Sequence, residues 1–458
     1  MLKAPHCLYW LAIIIFFICG CGSDNSRETA GKDFSVVAFS DIHFDPFYDP
    51  SLFPELVAAE AGQWESIFKS STLTTPSPIG SGTNYPLLML TLSSIQKNME
   101  SSPLVIYTGD ILVHRFSQTF FTLYGSQDTE ALKVFADKTI SFFTKQVRLV
   151  AGTVPIMFAI GNNDSYSDSG PDSTFFSNTA EFFYQDFLNG TEDHQDFLMT
   201  FNKGGYYSAE PSGTDVMILS LNTVPFAAYP PGADTENAAA AQLNWLDAKL
   251  ASAEASGKNV WLIMHAPPGA DIYWATRLAD SNGHVDATGD LMMWKSDDQT
   301  LFLNILAKYP GSIALSLAGH THMDEYRILP SGDVIKIIPS IGTRSGNNPA
   351  FKVFTIALET SQAKDYHSYN YDLATLPDEF IPYYTFSTTN SMYGFLNDSL
   401  WHLFPALAAD DNLQEHYRGH YYSGNNTSNP INETNWPIYW CGIGKMEQPE
   451  FVDCVNSY

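Results

Sequence analysis

Five short stretches of this 458-residue chain carry metal-binding types of side chain, and each directly follows an apolar run. Ser40-Asp41-Ile42-His43 sets an aspartate and a histidine two apart, so on extended chain both can point to one side. Thr108-Gly109-Asp110 supplies a second carboxylate, with His114 four residues further on. Gly161-Asn162-Asn163-Asp164 brings two adjacent amides. His265 opens the run His-Ala-Pro-Pro-Gly, and Ala318-Gly319-His320-Thr321-His322 places two histidines around a small residue. Taken singly, each has an ordinary reading: a chance triplet, a turn after a strand, a proline-blocked loop. Together they repeat one arrangement five times, a polar ligand type at the carboxyl end of a strand, where open α/β sheets bind their ligands. Imidazole and carboxylate suit zinc, iron or manganese.

The elements that must position these residues are legible from apolar periodicity. Short runs rich in Val, Ile and Leu at 35–40, 103–107, 155–160, 216–221, 260–264, 312–317 and 334–338 read as buried strands. Segments 85–99, 129–145 and 237–256 have a helical period, and the last runs into Gly257 as a stop. Strands alternating with helices predict an α/β protein without internal repeats. After about residue 347 the character shifts. Residues 351–358 and 365–371 read as strands, and 375–458 as an aromatic, mainly helical appendage with helical pieces near 401–404 and 415–422. The expected organisation is a catalytic domain over 34–346 and a C-terminal subdomain over 347–458.

Composition is globular, with 45% hydrophobic and 14% aromatic residues. A formal charge of −27 repels polyanions, so no nucleic-acid partner is expected. The N-terminus reads as an export leader. Lys3 precedes an apolar stretch, residues 8–19, too short to span a membrane comfortably. Gly20 before Cys21 resembles a bacterial lipobox. On that reading residues 1–20 are a signal peptide, Cys21 is lipidated and attaches the protein to a membrane, and 21–33 form a polar tether. The other reading is an ordinary secretory signal. In both the protein is exported, either lipid-anchored at the cell envelope or secreted. Cys7 and Cys19 would leave with the leader. Cys441 and Cys454, the two left over, suit one disulfide in an oxidising compartment, or else two buried thiols. Sequons at Asn189, Asn397, Asn425, Asn426 and Asn432 are compatible with a secreted glycoprotein.

The motif set D-x-H, G-D, G-N, H and G-H-x-H resembles the calcineurin-like metallophosphoesterase superfamily, and within it the acid sphingomyelinase-like phosphodiesterases. That branch is suggested by His114 four after Asp110, Gly204-Gly-Tyr-Tyr-Ser208 before a strand ending in Asn222, the extension of Gly319-His-Thr-His322 to Tyr326, and Asn347-Asn-Pro349. The resemblance covers about residues 34 to 458. It implies a β-sandwich flanked by helices and two divalent metal ions, zinc first and iron or manganese next, bridged by Asp110. Asp41, His43 and His322 would complete one site; Asn162, His265 and His320 would complete the other. It implies an exported phosphodiesterase acting on a phosphate-ester small molecule or lipid headgroup.

In that branch a histidine commonly follows the metal-binding asparagine. Here the position is Asn163, which can orient or stabilise but cannot donate a proton as an acid. His114 would then supply any histidine proton for the leaving oxygen. The departure opens an alternative, hydrolysis of phosphoanhydrides or monoesters whose leaving groups need less help. A second alternative is a catalytically weak surface lipoprotein that binds metal. Asn84, Tyr166, Tyr273 and Trp274 are further polar or aromatic positions near the expected loops. His284, His367, His402, His416 and His420 carry no motif and read as surface or core residues.

Overall fold

Strands with both faces buried read as continuous apolar runs, and the strands of this protein behave that way. The computed structural model describes residue 1 and residues 33–99, 101–228, 235–427 and 429–458. The leader, the tether apart from its last residue, and Cys7, Cys19 and Cys21 lie outside the described residues apart from residue 1. Twelve strands are described: β1 (Phe34–Phe39), β2 (Val105–Tyr107), β3 (Ile156–Phe158), β4 (Tyr207–Ala209), β5 (Val216–Leu221), β6 (Asn259–Met264), β7 (Ile313–Ala318), β8 (Tyr326–Ile328), β9 (Val334–Ile337), β10 (Ala350–Ile356), β11 (Ala363–Asn370) and β12 (Ile381–Thr385). They form two six-stranded sheets, ordered β12-β11-β10-β1-β2-β3 and β4-β5-β6-β7-β9-β8. β1, β2 and β3 run parallel, and so do β5, β6, β7 and β9.

The sheets face one another. Trp261 and Ile263 of β6 share a core with Val37 and Phe39 of β1, and the Phe158 and Tyr207 rings meet at 4.9 Å. The alternate residues of the second sheet, Leu219, Leu221, Leu262 and Met264, point the other way. They pack under Leu243, Leu246 and Leu250 of the helix Thr235–Ser256 and Phe302 and Ile305 of the helix Ser296–Lys308. This period of two puts one row of side chains in the sandwich and the next beneath the helices. The expected mixed α/β architecture, with central sheets, flanking helices and a helical C-terminal region, is the one observed.

Local chemistry sets the helix limits. Asn84 Oδ1 accepts from Leu87 N–H at 3.1 Å and caps the helix Tyr85–Asn98, so this buried asparagine serves the fold. Asp128 caps the helix Thr129–Ala151, which runs past the residue 145 expected from its apolar spacing. β10 and β11 extend the first sheet beyond β1, so that sheet is continuous across residue 347. β12 lies within a region read as helical; Pro382 suits it to the sheet edge, where a missing N–H costs no ladder bond. Helices Leu396–Ala406, Asp411–Tyr421, Trp436–Gly444 and Gln448–Ser457 follow. Two of the sequons are engaged within the fold: Asn397 accepts from the buried Lys336 amine, and Asn425 Nδ2 donates to the Gly346 carbonyl at 2.8 Å. No helix among the described residues is long and apolar enough to cross a membrane.

Cys441 and Cys454 are disulfide-bonded, 13 residues apart, and link the last two helices. The second of these helices grips a distant loop. Gln448 bonds the backbone of Ala287, Gly289 and Leu291, and Asn456 bonds both backbone groups of Val285. A cross-link closing a loop of this size is worth about 3 kcal/mol in the chain-entropy model. Cys454→Ser is therefore expected to lower the unfolding free energy by about that amount, read from denaturant melts of oxidised wild type and variant. Equal midpoints would show that the helices hold without the bond.

Candidate metal centre

The seven expected ligands leave the carboxyl ends of β1, β2, β3, β6 and β7 and gather in the crevice between the sheets. Asp41, His43, Asp110, His320 and His322 all have left-handed backbone, with φ between 46° and 72°. Non-glycine residues pay on the order of 1 kcal/mol or more for that conformation, and the surroundings must enforce it. Here neighbouring loops do so. His43 N–H donates to the Asp110 carbonyl at 3.0 Å, Asp41 N–H to the Gly109 carbonyl at 2.9 Å, and Gly319 N–H to the His265 carbonyl at 2.8 Å. Two motif glycines permit the crowding. A Cβ on Gly161 would lie 2.0 Å from Asp110 Oδ1, and one on Gly319 would lie 2.2 Å from Ser40 Oγ.

The side chains sort into two clusters that meet at one oxygen. In the first, Asp110 Oδ2 lies 3.5 Å from His43 Nε2, and His43 Nε2 lies 3.0 Å from His322 Nε2. Asp41 Oδ1 lies 3.7 Å from His43 Nε2 and 3.5 Å from His322 Nε2. In the second, Asp110 Oδ2 lies 3.3 Å from His265 Nε2. Asn162 Oδ1 lies 3.1 Å from His265 Nε2 and 2.8 Å from His320 Nδ1. These are the separations expected between ligand atoms each about 2.1 Å from a shared ion. Asp41, His43 and Asp110 form one group able to hold a metal; His43, His322 and His114 form another.

The donor set fits cations. His43 Nδ1–H donates to the Leu112 carbonyl at 3.0 Å and His265 Nδ1–H to the Thr108 carbonyl at 2.8 Å, which turns both Nε2 atoms to the centre. The Asn162 oxygen and the ring nitrogens therefore converge as acceptors. Asp41 Oδ1, fully buried, has no hydrogen-bond partner. A buried carboxylate oxygen left so is costly unless a cation meets it.

Charge follows the same division. Burial opposes ionisation of Asp41, but the adjacent His43 and the charges of His322 and His265 hold it down to about 2. Burial opposes ionisation of Asp110 as well, and His265 and His43 hold it well below the usual carboxylate range. Burial disfavours a charged His265, yet the Asp110 and Asp41 carboxylates push it up to about 10, and His43 is raised in the same way. Burial and the neighbouring His265 charge lower His320 to about 4. Burial lowers His322 to about 3, with Asp41 opposing and His43 assisting. Each cluster thus favours one positive charge beside Asp110, here a proton on His43 or His265, which a bound cation would have to replace before those nitrogens could accept.

The other expected site residues fall into place around this core. Asn163 donates from its backbone N–H to Asp110 Oδ1 at 2.8 Å and from Nδ2 to Asp110 Oδ2 at 2.7 Å. His114 stacks on the His43 ring at a centroid distance of 4.2 Å, and its Nε2 has no partner among the described residues. Tyr166 turns away to donate to Asp137, while Tyr273 and Trp274 are exposed on the helix Ile272–Leu278. His420 lies flat on Tyr384, 3.7 Å between centroids, in the C-terminal region. Asp164 went unassigned in the sequence, although it closes the Gly-Asn-Asn-Asp run. Its carboxylate accepts from the N–H groups of Ile111 at 2.7 Å, Gly161 at 2.9 Å, Asp110 at 3.1 Å and Leu112 at 3.3 Å. Burial and the Asp110 charge push it up to about 6, while those amides pull the other way. Ser345, whose Oγ lies 3.0 Å from His322 Nδ1, was also unassigned.

Candidate ligands from two facing sheets that meet at a shared aspartate are consistent with a metal-dependent phosphoesterase. The chain belongs to the calcineurin-like phosphoesterase family, whose model matches residues 34–324. It is 27% identical to a sphingomyelinase phosphodiesterase C of Dictyostelium discoideum, over 68% of this chain and 64% of that protein. It is 21% identical to a cyclic GMP-AMP phosphodiesterase of Homo sapiens, over 100% of this chain and 96% of that protein. The chain thus spans somewhat under two thirds of the length of the first of these relatives. A dimetal phosphatase from Danio rerio is similar in three dimensions, with a TM-score of 0.43 and 13% identity over 73% of this chain and 95% of that one.

Proposed function

We propose that the protein is an exported, two-metal phosphodiesterase of the acid sphingomyelinase-like branch. The observation that carries this reading is Asp110 Oδ2, which faces His43 on one side and His265 on the other and so can bridge two ions. Asp41, His43 and His322 would hold one, and Asn162, His265 and His320 the other. Two divalent cations there, zinc or else iron or manganese, would supply Lewis acidity to a phosphoryl group and lower the pKa of an attacking water. The neutral Asn162 ligand adds no charge to repel an anionic substrate. Asn163 fixes both Asp110 oxygens with N–H donors and keeps the bridge oriented. His114 would be the histidine serving the leaving oxygen, but its Nε2 is buried against the His43 ring, and burial with the His43 and His322 charges lowers its pKa to about 2, so it would act there as a neutral imidazole unless the site opens. Relatives named as phosphodiesterases support the same bond type. The leader and its lipidated Cys21 would deliver the domain outside the cytoplasm, where the disulfide forms.

Purified protein is expected to cleave bis-p-nitrophenyl phosphate and to lose that turnover to a chelator. p-Nitrophenyl phosphate, ATP and p-nitrophenyl phosphorylcholine in parallel sort diester, monoester, anhydride and choline-ester hydrolysis. No metal-dependent turnover on any of them would remove the enzyme reading.

Asn163 favours a second reading, cleavage of phosphoanhydrides or monoesters with good leaving groups. Its amide is committed to Asp110 and cannot act as an acid. Asn163→His restores an imidazole at that position. A general acid contributes about 10²-fold or more where the leaving group is poor. The variant is therefore expected to gain about tenfold more on an alkyl ester than on a p-nitrophenyl ester in kcat/KM. Equal changes on both would contradict this role for the position.

A further inference from the structure

Residues 340–346 form a loop laid directly across the first ligand cluster. Ser340 N–H donates to the His322 carbonyl at 3.2 Å, and Gly342 N–H to the Asp41 carbonyl at 2.9 Å. A Cβ on Gly342 would lie 3.2 Å from His43 Cδ2. Ser345 Oγ touches His322. Arg344 stands between these contacts, in a turn closed by Gly346 N–H to the Thr343 carbonyl at 3.1 Å, and it is exposed. Its positive charge reaches His114, whose ring covers His43.

The other cations of this kind are mostly committed. Arg148 donates to backbone carbonyls, Arg277 lies over Tyr273, Arg327 pairs with Glu325, and Arg418 lies over Trp436. Arg115 and Arg344 have no hydrogen-bond or ion-pair partner among the described residues, and of the two only Arg344 lies on the loop that touches the expected ligands. With 50 acidic residues against 23 basic ones, the field of the whole chain disfavours anions. A guanidinium carried on the loop that touches the expected ligands counters that locally, never loses its proton, and offers a planar fork that matches phosphate oxygens. The phosphate under attack would be held by the cations, so the fork is left for another group.

We propose that Arg344 binds a second anionic phosphoryl group attached next to the phosphate under attack. It would thereby favour substrates with two linked phosphates over esters of a cationic alcohol. A choline ester offers its positive end where a second phosphate would sit, and Arg344 would oppose it. The acidic field limits the preference to short anions rather than long polyphosphate chains. This inference rests on the two-metal reading of the site.

Calorimetric titration of metal-loaded protein with inorganic pyrophosphate and with orthophosphate tests it without turnover. Hydrogen bonds to charged groups support a loss of about tenfold or more in the pyrophosphate-to-orthophosphate preference for Arg344→Gln. Arg344→Lys should recover part of it, having the charge without the fork. Lys308→Gln, which removes an equal charge from a helix on the outer face, should leave the preference as in wild type. An unchanged preference in Arg344→Gln, or an equal loss in Lys308→Gln, overturns the proposal. Pyrophosphate preference of the expected kind in a protein without hydrolytic activity would retain the role of Arg344 and remove the hydrolase reading. Turnover with no such preference would do the reverse.

Discussion

Asp110→Asn is expected to leave protein that binds fewer than two metal ions per chain and hydrolyses phosphate esters roughly a thousandfold more slowly, the several kcal/mol of Lewis-acid stabilisation having been lost. The substitution keeps size and shape, so it isolates the shared oxygen. Asp110 Oδ2 is the only oxygen placed against both clusters among the described contacts, 3.5 Å from His43 and 3.3 Å from His265. An amide has one acceptor oxygen. The oxygen of the new side chain can face the clusters or accept the Asn163 backbone N–H, but the NH₂ must take the other place. Facing the clusters, that NH₂ meets ring nitrogens that need a cation. Facing Asn163, it meets an N–H donor. The charge also changes, since one of the two carboxylates that draw positive charge into the site is gone. Elemental analysis of protein purified without added metal, together with kcat/KM on bis-p-nitrophenyl phosphate, reads both effects. Two retained ions with near-wild-type turnover would show that Asp110 does not bridge.

The clustering of the seven candidate ligands was legible in the sequence because their types are chemically unusual where they stand. Histidine and aspartate after a buried apolar run have few ordinary uses, and the run itself fixes their place at a strand end. The β5 run, Val216–Leu221, is long and fully buried, and its limits coincide with those expected. Strands β4, β8 and β12 were not legible as strands. The first two are three residues long, too short for a period of two to stand out, and β12 carries Pro382. The helix Ser173–Phe182 was missed because its Ser, Thr and Asn positions mask a stripe formed by Phe175, Phe176, Thr179 and Ala180.

What surrounds the ligands was less legible for a different reason. Ser345 reaches the site, and brings the neighbouring Arg344 onto the loop beside it, only because the loop after β9 folds back over β1, a relation set by sheet order and invisible to local pattern. Asn163 was separated from Asn162 in the sequence, yet its two-point grip on Asp110 depends on a left-handed Asp110 backbone, φ 65°, that no spacing rule predicts for an aspartate. The same backbone explains the glycine before Asn162. A side chain at Gly161 would strike the Asp110 carboxylate, so the turn reading of that glycine and the ligand reading of its neighbour are one requirement.

That left-handed aspartate needs a partner for its backbone, which makes Asp164 the second position of large expected effect. One carboxylate accepts four N–H groups, from Asp110, Ile111, Leu112 and Gly161, all within a buried turn. Asp164→Ala leaves those donors unpaired. Each unsatisfied buried donor costs about 1–3 kcal/mol, but the turn can relax to recover some, so a total loss of about 3–5 kcal/mol in unfolding free energy is expected. The residual fold would hold Asp110 loosely, and outer-shell partners of metal ligands typically contribute about 10–100-fold to metal affinity. Asp164→Asn should fall between wild type and Asp164→Ala. Its oxygen can serve one pair of donors, Ile111 and Leu112 or Asp110 and Gly161, while its NH₂ faces the other pair. The ordering in denaturant midpoint and in metal titration should therefore be wild type, then Asn, then Ala. A stable Asp164→Ala variant with unchanged metal affinity would mean that the turn holds Asp110 without its carboxylate. A destabilised one that still binds both ions at wild-type affinity would confine Asp164 to the fold and leave the seven ligands to hold their geometry unaided.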